Sequence, residues 1–179
     1  DKDVELCKAY GAEFKLGAEV TSVKALKAEG YTDVIVSIGA WKPGRSPLVY
    51  GEVTDALEFL MEAKKNGAAM NIGKDVVVLG GGNTAMDVAR AAKRIPGVEN
   101  VRLIYRRTKR YMPADEEELQ LAIEDGVEFL ELLAPVGAEN GKLKCSVMEL
   151  GAPDASGRRS PVDTGRTEEY PADTIITAD

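Results

Sequence analysis

An α/β chain built on a parallel sheet, with an antiparallel β excursion near its end, is the fold class this sequence predicts, and three observations carry the prediction. The run Asp75 to Leu79, DVVVL, is β-branched and of buried-strand length; it meets three glycines and gives way to helical spacing at Ala85, Val88, Ala89 and Ala92. Strand-like and helix-like segments alternate around it, which favours a parallel sheet with helical crossovers. Beyond Pro135 the texture changes to short strands with turns between them, among them Asn140-Gly141, a strong two-residue hairpin signal.

Taken in order, Val4 to Tyr10 reads as the end of a helix stopped by Gly11, and Glu13 to Leu16 as a short strand. Val23 to Glu29 is a brief amphipathic helix closed by Gly30. In TDVIVSIGA, the run Val34 to Ile38 ends at Gly39 in the pattern of a buried parallel strand. Trp41 to Gly51, with Pro43, Gly44, Pro47 and Gly51, is the predicted linker. Thr54 or Asp55 caps the next helix, with Asp55 and Glu58 at capping-box spacing; Leu57, Leu60 and Met61 form its buried face, and Gly67 stops it. After the central unit a second helix, roughly Ala114 to Asp125, is closed by Gly126 and leads to a strand over Val127 to Leu133. Ala134 to Glu139 then pairs with Lys142 to Leu150, Gly151 to Ser160 is a polar loop, and Pro171 to Thr177 returns as a last buried strand. The excursion is assigned no site residues.

The glycines carry the chemistry. Gly80, Gly82 and Ala85 supply the G-x-G-x-x-A spacing of a Rossmann-like βαβ unit: Gly80 for a sharp turn, Gly82 for close approach of backbone to a pyrophosphate, Ala85 for close packing of helix on strand. The helix N-terminus would face the diphosphate with free N–H groups and the positive end of its dipole. The next strand, NVRLIYRR, ends in Arg106, 26 residues after Gly80, and Arg107. An NAD-specific domain carries an acid near this position, whereas an arginine accommodates the 2′-phosphate of NADP.

Composition narrows the alternatives. With 44% hydrophobic and 30% charged residues, a chain of 179 residues is ordinarily globular and long enough for one domain plus a piece of another. A net charge of −7 argues against a nucleic-acid or anionic-membrane binder. The absence of histidine removes Ser-His-Asp triads, His-based zinc sites and imidazole catalysis. Hydride transfer suits such a chain, because there the cofactor carries the reaction. Cys7 and Cys145 form no C-x-x-C pair and read as two reduced cytosolic thiols, with no metal site. No run approaches the ~18 apolar residues of a membrane span, and no leader pattern opens the chain, so a cytoplasmic protein is expected. Starting at Asp1 in mid-pattern, the chain reads as a fragment of something larger.

VVVLGGGNTAMD, then RLIYRR, then MPADEEE with GVEF, resembles the NADPH-binding domain of glutamate synthase small-subunit-like flavoproteins over nearly the whole length. It is similar also to the matching part of dihydropyrimidine dehydrogenase and, most of all, to the large selenate reductase subunits of this group. The resemblance implies that residues 1–43 are the C-terminal remnant of an FAD-binding domain and 44–179 an NADPH-binding Rossmann-like domain. TDVIVSIGA with KPGR looks like the crossing from one to the other, and PADTIITA like the way back. The implied activity is passage of a hydride from NADPH to FAD, then of electrons through iron–sulfur clusters to a distant acceptor. FAD and iron–sulfur clusters, and the domains that hold them, would belong to the full-length protein. The isolated chain is accordingly expected to lack flavin and to be inactive as a reductase. Ser37 to Gly39 departs from the usual Ala-Thr-Gly, which bears on FAD contacts there.

Position by position, the resemblance places Gly80, Gly82, Asn83, Thr84 and Ala85 around the pyrophosphate and Arg106 and Arg107 on the 2′-phosphate. Arg110 is either a third contact or a solvated base. Asp87 matches an acid near the nicotinamide in related flavoproteins, and an acid early in a helix also suits the dipole by itself. Two other function classes fit the glycine loop: a regulatory dinucleotide-sensing module, and a nucleotide fold for another ligand such as a methyl donor. The arginine pair argues against the last. Self-association through an unpaired apolar edge at Val34 to Ile38 is a further expectation.

Overall fold

The computed structural model describes residues 2–39, 47–155 and 157–178. The chain divides into two compact units, 1–40 and 41–179. Residues 41–46 of the predicted linker Trp41 to Gly51, KPGR included, lie outside the described residues.

The first unit holds helices α1 (Lys2–Ala9) and α2 (Val23–Ala28). Ser22 caps α2, its Oγ accepting from Lys24 N at 3.1 Å and Ala25 N at 3.4 Å. Neither helix buries a residue. Both strands expected here are absent: Glu13 to Leu16 and Val34 to Ile38 are irregular, and Ile35, Val36 and Ile38 are exposed. A strand exists through its ladder, and among the described residues of this unit no second strand runs beside Val34 to Ile38 to complete one.

The second unit is built on five parallel strands: β1 (Thr54–Asp55), β2 (Asp75–Leu79), β3 (Asn100–Tyr105), β4 (Glu128–Glu131) and β8 (Thr174–Thr177), in the order β1-β8-β2-β3-β4. Helices α3 (Ala56–Asn66), α4 (Asn83–Lys93) and α5 (Glu116–Glu124) make the crossovers. Between β4 and β8 the chain forms a separate antiparallel sheet of β5 (Leu133–Glu139), β6 (Lys142–Pro153) and β7 (Arg159–Pro171). Asn140 and Gly141, at φ 52° and 70°, turn the β5–β6 hairpin as its sequence predicts.

The alternation along β2 explains its unbroken apolar run. Val76 and Val78 join a core against the helices, while Val77 and Leu79 join a second core with Leu133, Leu143 and Cys145 under the antiparallel sheet. A strand covered on both faces needs apolar side chains at every position. Burial pushes the Cys145 thiol up to about 12, which keeps it an inert core residue.

Several boundaries differ from expectation. Asp55 does cap α3, Oδ1 accepting from Leu57 N at 2.9 Å, but the buried face is Ala56 and Phe59 with Leu60 and Ala63; Met61 is exposed. Val127 to Leu133 is not one strand: Leu132, at φ 56°, takes the left-handed region and breaks β4 from β5. β6 continues to Pro153, shortening the predicted loop, and β7 went unread because its residues are nearly all exposed and polar, with no alternation to mark them.

Candidate dinucleotide-binding cleft

After β2 the chain proceeds through α4 to β3 and β4 on one side, then returns through the antiparallel sheet to β8 on the other side of β2. The order therefore reverses between β2 and β8, and in open α/β sheets a ligand site forms outside the carboxyl ends at such a point. A cleft of about 630 Å³ opens there, lined by the glycine turn, Tyr105 to Arg107, Pro113, Ala134 with Pro135, and Ala178. That volume is within the usual range for cofactor pockets, about 300–1,000 Å³.

Each glycine of the turn has its own reason. Gly80 sits at φ 147°, and a Cβ on it would lie 2.8 Å from Ala178 O and 3.3 Å from the Ala85 Cβ. The turn thus passes between the exit of β8 and the first turn of α4, and Ala85, fully buried, is small enough to permit it. Gly81 has no special φ; a Cβ there would meet Tyr105 Cε2 at 2.4 Å. Gly82, the N-cap of α4, has open space where its Cβ would be, and α4 has no side-chain cap. A helix start without a side-chain cap leaves its first amides to other acceptors, and an anion is one such acceptor.

Arg106 and Arg107 line the same cleft as the turn. Arg106 is exposed and Arg107 half-buried, and Arg107 Nε is buried without a hydrogen-bond partner. Buried donors are ordinarily paired, and this one is an exception. None of the described residues lining the cleft is acidic. The loop 106–115 is tied back: Tyr105 Oη donates to Tyr111 O at 2.8 Å, Ala114 N to Gly81 O at 3.0 Å, and Leu132 N to Arg107 O at 3.2 Å.

The remaining predicted residues fall elsewhere or act differently. The Asn83 side chain is engaged with Asp115. Thr84 is exposed at the helix start. Asp87 is exposed one turn further along α4 and is not among the cleft residues. Arg110 is also outside the cleft: it borders a separate cavity with Met112, Leu119 and Phe129, its guanidinium 6.0 Å from the Tyr111 ring centroid. Sequence reasoning missed Gly81, Tyr105 and Pro113. The one available signal was the middle glycine of GGG, which the fingerprint spacing leaves unexplained.

The family model of the pyridine nucleotide-disulphide oxidoreductases matches residues 4–178. YgfK of Escherichia coli (strain K12), named only as an oxidoreductase, is 42% identical over 180 residues, which is 98% of this chain and 17% of YgfK. The NADPH glutamate synthase small chain of the same organism is 36% identical over 196 residues, 97% of this chain and 41% of that one. The chain therefore spans well under half the length of these relatives. FprA of Mycobacterium tuberculosis, solved in complex with NADPH, superimposes with a TM-score of 0.51 at 20% identity, covering 59% of this chain and 38% of FprA. This last likeness shows the fold. The glycine turn at the sheet's reversal point and matches that run along nearly every residue lead to one conclusion: the chain belongs to the pyridine nucleotide-disulphide oxidoreductase family.

Proposed function

We propose that this chain is the NADPH-binding part of an FAD-dependent oxidoreductase, with the dinucleotide in the cleft over the ends of β2, β3 and β8. The observation that carries the proposal is that Arg106 and Arg107 line the same cleft as a glycine turn whose helix has no side-chain cap. Gly80 and Gly82 give the diphosphate room, the first amides of α4 donate to it, and the two guanidiniums neutralise the 2′-phosphate. The NADPH in the name of the glutamate synthase small chain supports this choice of cofactor. When bound, NADPH supplies a hydride.

The described residues of unit 1 do not fit a flavin. No glycine turn opens a helix there, and Ser37 to Gly39 lies outside any strand. FAD, and iron–sulfur clusters for onward transfer as in the glutamate synthase or selenate reductase type, are proposed to be held by other domains of a longer protein.

Calorimetric titration with NADP⁺ and NAD⁺ tests the reading. A charge-assisted hydrogen bond contributes roughly 1.5–3 kcal/mol, so two arginines on a 2′-phosphate favour NADP⁺ by about two to four powers of ten at most. Salt lowers that preference. Arg106→Ala with Arg107→Ala should weaken NADP⁺ far more than NAD⁺; equal wild-type affinities, or a double variant that keeps the preference, overturn the assignment.

A further inference from the structure

We infer that Asn83 and Asp115 form a strut that sets the width of the nucleotide cleft, so that Asn83 works through Asp115 as a positioning residue rather than through its carboxamide as a ligand. Asp115 stands at the N-cap of α5, where an aspartate ordinarily accepts from its own helix's first amides. Its side chain makes no such bond. The carboxylate instead accepts from Asn83 Nδ2 at 2.9 Å, and Asp115 N donates back to Asn83 Oδ1 at 2.9 Å. Asn83 is the first residue of α4, a helix equally without a side-chain cap. Two residues placed to serve their own helices are committed to each other, across 32 positions of sequence.

What the pair joins gives it a purpose. One end is fixed to the glycine turn, and the other ends the loop 106–115, which carries both arginines and Pro113 of the cleft wall. Without the pair the loop keeps its Ala114–Gly81 bond but loses both polar ties to α4. On the NADP(H) reading, on which this inference rests, α4 and the arginines grip the same ligand from two sides. Affinity then depends on their spacing being fixed before binding.

The sign of a charge effect separates the strut from simple electrostatics. Asp115 is an anion beside the positive end of α4, so if only its charge mattered, its removal would raise affinity for a phosphate. If it is a strut, Asp115→Ala lowers affinity. Asp115→Asn removes the charge yet keeps an oxygen to accept from Asn83, and so retains the tie.

Wild type, Asn83→Ala, Asp115→Ala and Asp115→Asn are to be compared by NADP⁺ calorimetry and by hydrogen exchange of the ligand-free 179-residue chain. Both alanine variants should bind about three- to thirtyfold more weakly, as loss of one or two hydrogen bonds implies. Exchange across 108–115 should accelerate in those two variants only, and Asp115→Asn should bind as wild type or tighter. An Asp115→Ala variant that binds as well as wild type, or unaltered exchange across 108–115, overturns the strut. Failure of the NADP(H) reading looks different: titrations are flat in all four proteins, wild type included.

Discussion

Gly81 and Gly82 are adjacent and chemically identical, yet the structure makes different demands on them. A methyl group at Gly81 collides with the Tyr105 ring, which must swing and surrender its bond to Tyr111 O. Overpacking of this kind costs about 1–3 kcal/mol, so urea denaturation of Gly81→Ala should show that loss. At Gly82 the same methyl meets nothing within the protein, and φ −96° with ψ 173° suits alanine. Gly82→Ala should therefore lose less than ~1 kcal/mol of stability while weakening NADP⁺ binding, because its cost falls on the ligand. Equal losses of stability in the two variants would contradict the assignment of Gly82 to the cleft. Spacing alone made Gly80, Gly82 and Ala85 legible, since a strand, a turn and a helix in succession leave few places for small residues. The position of Arg106 and Arg107 at the cleft was legible for a like reason, since they follow the end of the next strand. The Tyr105–Gly81 contact, the Asn83–Asp115 pair and the departure of Arg110 to another cavity were not. They depend on how loop 106–115 folds back, and no local periodicity encodes that.

At the level of elements, the entry to the sheet is fastened by Asp173, just ahead of β8. Its carboxylate accepts from Lys74 N at 2.7 Å and Asp75 N at 2.9 Å, and Gly73, at φ 80°, leaves no space for a Cβ against it. The Asp75 amide above all, and then the Lys74 amide, hold its pKa below the ordinary 3.8. A depressed folded pKa contributes stability that is present above the unfolded value and lost as pH falls through the folded one. Asp125 behaves in the same sense, held low chiefly by its hydrogen bond from Arg90. Asp173→Asn should thus be less stable than wild type at neutral pH, and the gap should narrow as pH falls below the unfolded carboxylate's 3.8, in urea melts across that range. A gap independent of pH would show that the carboxylate's charge does not matter there. Elements with an apolar period were readable: β2, β3, α4 and the β5–β6 hairpin all lie where patterning puts them. β7 was hidden by its polarity. Val34 to Ile38 misled for the opposite reason, because an apolar run states a preference for burial without naming the strand that would satisfy it.

The molecule as a whole is uneven. Both apolar cores are built from residues numbered 48 and above, whereas the described part of unit 1 buries none of its side chains. Leu16, Tyr10, Ile35 and Ile38 are 89%, 86%, 92% and 76% exposed. Apolar surface of that kind is unusual on a stable monomer and tends to be covered by association. Two outcomes follow from this imbalance. Shortening the chain to residues 41–179 should retain one cooperative thermal transition, with Tm moved by less than about 4 °C, because a change near 1 kcal/mol shifts a domain of this size by only a few degrees. The full chain should gain apparent mass with concentration in light scattering while the shortened chain stays monomeric, and amides of Val34 to Ile38 should exchange fastest in the most dilute samples. A strict monomer with strong protection across that run would mean that its burial is met within one chain, and loss of the transition on shortening would mean that unit 1 supports the sheet.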